Sequence, residues 1–107
     1  MSKALQFMLM LISVIVFGRP IVALASPVTD ADLRGKKICW YSKGVDNTYG
    51  KDGSLDSSLL GHGTWRLVGD KLTESGLHVY TFTITKEGGT FHMINNEVGE
   101  VWGRYCN

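Results

Sequence analysis

Apolar and polar residues alternate along most of the chain after residue 35, with the period of two that is typical of half-buried β-strands. In residues 36–42, Ile38 and Trp40 fall on one face and Cys39 on the other. Residues 77–85 are mostly β-branched or aromatic, which strongly favours a strand. Convincing helical periodicity is lacking from this region. The pattern therefore predicts an all-β protein.

Turn residues divide the same region into six or seven short strands. Gly69 and Asp70 form a two-residue turn of the kind that joins paired strands, and Asp52 with Gly53 is a second hairpin signal. The predicted strands cover residues 36–42, 47–51, 64–68, 71–74, 77–85, 90–94 and 100–106. Such regular turns favour an antiparallel meander that closes into a small barrel or sandwich.

The first 25 residues have the features of a secretory signal peptide. A charged Lys3 precedes the apolar residues 4–17, and Ala23 and Ala25 are the small residues expected before a cleavage site between Ala25 and Ser26. The apolar segment is shorter than the roughly 20 residues that a membrane-spanning helix needs. We therefore expect a periplasmic or secreted protein with no stable membrane anchor after cleavage.

Three segments follow from these patterns: a signal peptide in residues 1–25, a polar leader in 26–35 and a single barrel-like domain in 36–107. Residues 30–33 are predicted to form one helical turn. Because a domain of this size has a small core, its aromatic side chains are enough to fill it. We expect Trp65, Phe82 and Phe91 in the core. Tyr41, Tyr49 and Tyr105 are candidates for the outer surface.

The chain has two cysteines, Cys39 on the first predicted strand and Cys106 on the last. In an exported protein a disulfide between them is the expected state. First and last strands meet where a barrel closes, so this bond would join the two sides of the seam. The chain-entropy description assigns about 4 kcal/mol to a loop of this length.

Charge and motifs argue against several functions. Lys and Arg number 11 against 10 Asp and Glu, which is far from the dense basic surface of a nucleic-acid binder. Phosphate loops, dinucleotide fingerprints and G-x-S-x-G are absent. The three histidines, His62, His78 and His92, lack the short spacing of a zinc site. We expect no catalytic residues, no metal and no cofactor, and hence not an enzyme.

The segment Gly63-Thr64-Trp65 matches the G-x-W that begins lipocalins and related calycin barrels. Together with the strands and turns that follow, as far as Tyr105, it resembles small exported lipocalin-like proteins of Gram-negative bacteria, many of them of unknown function. The resemblance implies a β-barrel. In lipocalins the motif opens the barrel, whereas here it lies mid-chain. The residues after it are too few for the other strands of an eight-stranded cup, which argues against a roomy ligand cavity.

A second segment, Ser75-Gly76 followed by Tyr80, resembles the S-G-x-x-Y motif of periplasmic C-type lysozyme inhibitors, with one residue too many. These inhibitors are small exported β-barrels whose motif lies on a loop that enters the lysozyme cleft. The resemblance implies that this segment contacts a hydrolase of the cell envelope. The later W-x-K-G of that family is not found, and Trp102-Gly103-Arg104 only approximates it.

These observations favour a non-enzymatic binding or interaction module, with inhibition of an envelope hydrolase as the alternative. Its partner would be a protein or a small ligand of the cell envelope. Loops on a rigid scaffold usually carry recognition, so the candidate binding loops lie in the least regular segment and at the turn before residue 77. The candidate residues are Asn47, Tyr49, Lys51, Asp52, Ser75, Gly76 and Tyr80.

Overall fold

A computed structural model of the chain describes residues 25–107, so the predicted signal peptide lies, apart from Ala25, outside the described residues. In this part of the chain no helix has the length and the apolar character needed to span a bilayer. The elements are β1 (Ser26–Pro27), α1 (Asp30–Leu33), β2 (Lys36–Trp40), β3 (Val45–Tyr49), β4 (Ser54–Ser57), β5 (Gly61–Val68), β6 (Lys71–Ser75), β7 (Val79–Glu87), β8 (Thr90–Asn95) and β9 (Gly99–Tyr105).

Strands β2 to β9 form a closed antiparallel barrel in which each strand pairs with its neighbours in sequence. Strand β2 closes the barrel against β9, with Ile38 opposite Tyr105. The predicted all-β barrel is thus confirmed, but it has eight strands, with β1 as an additional short strand, rather than six or seven. Strand β4 was missed because its sequence, Ser-Leu-Asp-Ser, has a single apolar residue, Leu55, on its inner face.

The G-x-W motif lies on β5, which is the fourth strand of the barrel. The argument that an eight-stranded barrel would not fit was therefore wrong. It took the motif as the start of the barrel, whereas three complete barrel strands, β2, β3 and β4, precede it. The strands are also short, between four residues in β4 and nine in β7, and the turns between them are tight.

The predicted disulfide is present: Cys39 is bonded to Cys106, and their Cα atoms lie 5.8 Å apart. It joins β2 to the residue that follows β9, so it crosses the seam where the barrel closes. The bond therefore adds a covalent link to the seam, where β2 and β9 share only two paired positions.

The N-terminal segment closes one end of the barrel. The predicted helical turn is confirmed as α1, whose Leu33 is fully buried. Asp32 on the same turn accepts a hydrogen bond from Lys86 (2.8 Å), and its backbone carbonyl accepts one from the Tyr105 hydroxyl (2.7 Å). The residues predicted as a polar leader thus pack against the ends of β7 and β9.

Arg34, which follows α1, connects the N-terminal segment to the β3–β4 turn and to Trp65. Its guanidinium donates a hydrogen bond to the backbone carbonyl of Lys51, in the turn between β3 and β4. The same group lies over the ring of Trp65, 4.8 Å from the ring centre, while the Trp65 indole N–H donates to the carbonyl of Gly50 (3.0 Å). Trp65 therefore packs beneath the N-terminal segment as well as inside the barrel.

Most of the core lies inside the barrel on alternate strand residues, and Val28, Leu33 and Leu60 join it from outside the strands. It comprises Val28, Leu33, Ile38, Trp40, Tyr49, Leu55, Leu60, Trp65, Leu72, Phe82, Ile84, Phe91, Met93 and Val101. The three predicted core aromatics, Trp65, Phe82 and Phe91, all belong to it. Tyr49 was a candidate for the outer surface and is instead fully buried. Tyr41 and Tyr105 remain about half exposed.

A glycine on β9 makes room for the largest core side chain. A Cβ atom added to Gly103 would lie 2.5 Å from Cε3 of Trp40 and 3.0 Å from Cγ2 of Ile38. Real Cβ atoms do not approach so closely, so the indole ring packs directly on the backbone of β9. Glycine is required here by space and not by a positive φ angle.

We expect Gly103→Ala to lower the free energy of unfolding by about 1–3 kcal/mol, because the added methyl group must displace the Trp40 indole from a closely packed core. Gly89→Ala is the matched control, since a Cβ at Gly89 meets no atom within 4 Å. Urea unfolding of the two variants provides the measurement. Equal stability of both variants would contradict this account of Gly103.

Candidate functional site

The end of the barrel opposite α1 opens into a cavity of about 370 Å³, a size typical of small-molecule sites. The expectation that no roomy cavity forms was therefore wrong. The cavity mouth is formed by the β2–β3, β4–β5 and β8–β9 loops, which contribute Lys43, Leu59 and Val98. Most other lining residues are apolar. Leu60 belongs to the β4–β5 loop, and the others lie on strands: Trp40, Val45, Tyr80, Phe82, Met93 and Val101.

The half of the barrel near α1 is packed, whereas the half near the mouth contains the cavity. Near α1, large residues such as Tyr49, Trp65 and Phe91 point inwards and pack against one another and their neighbours. Towards the mouth, several inward positions carry small side chains, among them Val45 and Ser57.

Four buried polar groups meet below this space. The Trp40 indole N–H donates to the Tyr49 hydroxyl (3.0 Å), which donates to Oε2 of Glu74 (2.5 Å). The Asn47 Nδ2 amide donates to both the Tyr49 hydroxyl and Oε2 of Glu74, at 3.2 Å in each case. We call Trp40, Asn47, Tyr49 and Glu74 the polar cluster. Asn47 and Glu74 also line the cavity and form its polar floor.

Strand alternation places these side chains inside the barrel. In β3, Asn47 and Tyr49 occupy inward positions, and in β6 Glu74 follows the inward Leu72 by two residues. Burying a polar group without a partner is costly, whereas a hydrogen-bonded one is tolerated. The cluster therefore has to form as a unit, because each member satisfies a buried polar atom of another.

Burial raises the pKa of Glu74 from its ordinary value of 4.5 to about 7, although hydrogen bonds from Tyr49 and Asn47 oppose the rise. The pKa of Tyr49 is raised well above its ordinary value, first by burial and then by the nearby Glu74. The Glu74 carboxyl is thus neutral at mildly acidic pH. It ionises only near neutrality, or when a positive charge approaches it.

The cluster leaves hydrogen-bond acceptors unused. The Asn47 Oδ1 atom is buried and has no hydrogen-bond partner within residues 25–107. Both hydrogen bonds that Glu74 accepts from this part of the chain end on Oε2. The N–H and O–H groups of Trp40, Asn47 and Tyr49, in contrast, donate to acceptors on other members of the cluster.

Sequence reasoning placed Asn47 and Tyr49 on a binding loop, which is wrong, because both lie within strand β3 and are buried. Their segment is rich in turn residues, and this hid the inward-facing pattern. Tyr80, on β7, does line the cavity. Asn47 and Tyr80 therefore both line the cavity, from strands β3 and β7, although for a different reason from the one predicted.

The other candidate residues lie apart from the cavity. Lys51 and Asp52 are in the β3–β4 turn at the closed end, where the Asp52 carboxylate accepts hydrogen bonds from Ser54. Ser75 ends β6, and Gly76 follows it in the β6–β7 loop. These four residues do not form a common site.

Sequence reasoning missed two members of the polar cluster. It did not identify Trp40 as a hydrogen-bond donor, and it did not consider Glu74 as a buried residue. A usable signal for Glu74 was present. In Lys-Leu-Thr-Glu-Ser, the glutamate stands two residues after the apolar Leu72 and therefore shares its inward face. A charged residue in an inward position is a functional candidate once the strand has been recognised.

The three histidines lie near carboxylates at separate places on the barrel. His62 contacts Asp56 (2.6 Å), His78 contacts Glu97 (3.1 Å), and His92 contacts Glu100 (2.9 Å). Among residues 25–107, no three side chains of the metal-binding types converge on one point.

Comparison of the chain with protein-family models, with curated proteins and with solved structures finds no match. The lipocalin-like and inhibitor-like resemblances therefore stay predictions from short motifs. What can be said of function has to come from the cavity and the polar cluster.

We expect Glu74 to make the protein less stable as the pH rises from about 4.5 to about 7. The folded state binds the Glu74 proton more tightly than the unfolded chain, because the pKa is about 7 in place of 4.5. Stability from this group is complete at low pH and is lost by the time the pH passes the folded-state pKa, a change of about 3 kcal/mol.

Glu74→Gln should remove this component while keeping the size and hydrogen bonding of the side chain. The free energy of unfolding of the variant relative to the natural protein should therefore rise across that pH range. Urea unfolding at several pH values measures the difference, with Glu87→Gln as the control for the loss of a carboxylate. Parallel pH profiles for the natural protein and Glu74→Gln would show that the buried carboxyl is not perturbed.

Proposed function

We propose that this protein is a non-enzymatic binding protein that holds a small, largely apolar ligand in the open half of its barrel. The observation that carries the proposal is the cavity, with mostly apolar walls and with Asn47 and Glu74 on its floor. Small-molecule sites commonly combine an apolar lining with a few polar groups that fix the orientation of the ligand.

The chemistry of the lining supports binding rather than catalysis. The Ser57 hydroxyl accepts hydrogen bonds from the backbone N–H groups of Leu59 and Leu60 (3.1 and 2.9 Å), so it serves to shape the mouth. Glu74 is held by the neutral side chains of Asn47 and Tyr49. The Tyr49 hydroxyl, which donates to Glu74, is fully buried and does not line the cavity, so it is not placed to attack a ligand there.

We further propose that the protein acts in the periplasm or after secretion. The apolar N-terminal segment, followed by Ala23 and Ala25, supports export. The disulfide between Cys39 and Cys106 also supports it, because such bonds persist in oxidising compartments.

A neutral dye, N-phenyl-1-naphthylamine, tests the proposal because its fluorescence rises in apolar surroundings. We expect the oxidised protein to bind the dye and to become more heat-stable in its presence. Val45→Trp places an indole in the cavity, and we expect it to weaken dye binding by about tenfold or more. Val68→Trp is the matched control, because Val68 is exposed on the outside of the barrel.

The proposal would be contradicted if the dye bound equally well to both variants, since binding would then occur on the outer surface. It would also be contradicted if the natural protein bound no dye. Near-ultraviolet circular dichroism establishes that each variant is folded before its binding is compared.

Inhibition of an envelope hydrolase remains a second proposal, and an exposed apolar rim favours it. Leu59, Leu77 and Val79 are 56%, 85% and 59% exposed, and the backbone N–H of Leu77 donates to the carbonyl of Leu60 across the rim. An inhibitor should bind lysozyme or a related hydrolase and lose this binding in Leu77→Asp but not in Val68→Asp. A small-ligand protein should show no such binding.

A further inference from the structure

The polar floor of the cavity has more acceptors than donors. Asn47 and Glu74 are each only 2% exposed, and both line the cavity. Asn47 Oδ1 has no hydrogen-bond partner in the described part of the chain. The hydrogen bonds that Asn47 and Tyr49 donate to Glu74 both end on Oε2. The Trp40 and Tyr49 donors are engaged within the polar cluster. A complementary ligand must therefore bring N–H or O–H groups of its own.

We propose that the ligand is a small primary amine with an apolar body, whose ammonium group rests on the floor between Asn47 Oδ1 and the Glu74 carboxylate. This inference rests on the proposed function and specifies the chemical class of its ligand. An ammonium group has three N–H donors and no acceptor, so it matches a floor on which unused acceptors remain. A carboxylate ligand would meet Glu74 with a like charge and unpaired acceptors.

The walls fit the remainder of such a molecule. Val45, Leu60, Met93 and Val101 present aliphatic or thioether surface to the space above the floor. Aromatic rings from Trp40, Tyr80 and Phe82 also line it, and aromatic faces attract cations. The cavity therefore offers an apolar and partly aromatic lining to the body of the ligand and the Glu74 carboxylate to its charge.

The charges around the cavity agree with this orientation. Its titratable lining groups are Lys43, Glu74 and Tyr80, and Tyr49 faces Glu74 from strand β3. Tyr80 pairs with Glu74 in the β6–β7 ladder, and Lys43 belongs to the loop at the mouth. Glu74 is thus the acidic group of the floor, and an ammonium ion that reaches it would favour its ionised form.

Three probes with the same tail separate the possible headgroups: n-octylamine, 1-octanol and octanoate. Isothermal titration of the oxidised protein at about pH 6 should show that octylamine binds about tenfold more tightly than either of the others. Because Glu74 is mostly protonated at that pH, octylamine binding should release about one proton to the buffer. Titrations in buffers of different ionisation enthalpy measure this release.

Glu74→Gln should weaken octylamine binding about tenfold, abolish the proton release and leave octanol binding within about twofold. Glu87→Gln is the matched control and should change none of these. The comparison of the three probes and the proton release need no variant, so the test does not depend on whether Glu74→Gln folds well.

Equal affinity for octylamine and octanol would overturn the inference. Tightest binding of octanoate would also overturn it, because the charged headgroup would then bind Lys43 and not Glu74. Octylamine binding that Glu74→Gln leaves unchanged would also overturn it. If the protein binds N-phenyl-1-naphthylamine in its cavity but none of the octyl probes, the amine class is wrong and the proposed function stands. If the dye does not bind either, both fail.

Discussion

The burial of the Glu74 carboxyl is the constraint on which the interior of the barrel depends. A carboxyl removed from water requires partners, and here Tyr49 and Asn47 supply them from the far side of the barrel. The Tyr49 hydroxyl in turn accepts a hydrogen bond from the indole N–H of Trp40. These side chains thereby link β6 to β2 and β3, two strands with which it shares no ladder.

This cluster stands at the boundary between two halves of the barrel with different roles. Below it, α1 and the aromatic residues Trp65 and Phe91 fill and close the barrel. Above it, a cavity with mostly apolar walls opens between the loops. The disulfide joins β2 to the end of β9 and so fixes the seam from which Trp40 projects. Stability and a binding space are thus provided by separate parts of one small domain.

The sequence was sufficient to predict the fold class, the disulfide, the helical turn at residues 30–33 and the core positions of Trp65, Phe82 and Phe91. These features depend on local alternation, on cysteine count and on residue type. Strand β4 was not predicted, because Leu55 alone marks its inner face. Without β4 the predicted strands are too few for an eight-stranded barrel, and the cavity was therefore not expected.

The polar cluster was beyond prediction for a different reason. Asn47 and Tyr49 lie 27 and 25 residues from Glu74 along the chain, so the partners that permit their burial are not apparent locally. In isolation, Asn47 and Tyr49 stand among turn residues and suggest a surface loop. Their inward orientation depends on the closed barrel, in which they face the Glu74 carboxyl across the interior.

The ionisation of Glu74 tests this account most directly. A carbon-13 NMR titration of its carboxyl carbon, assigned by the signal that Glu74→Gln removes, reports the pKa of that group in the folded protein. The account predicts a midpoint of about 7, because the carboxyl is buried in the polar cluster beneath the cavity. A midpoint near 4.5, the ordinary value, would mean that Glu74 is solvated and that the cavity floor described above does not exist.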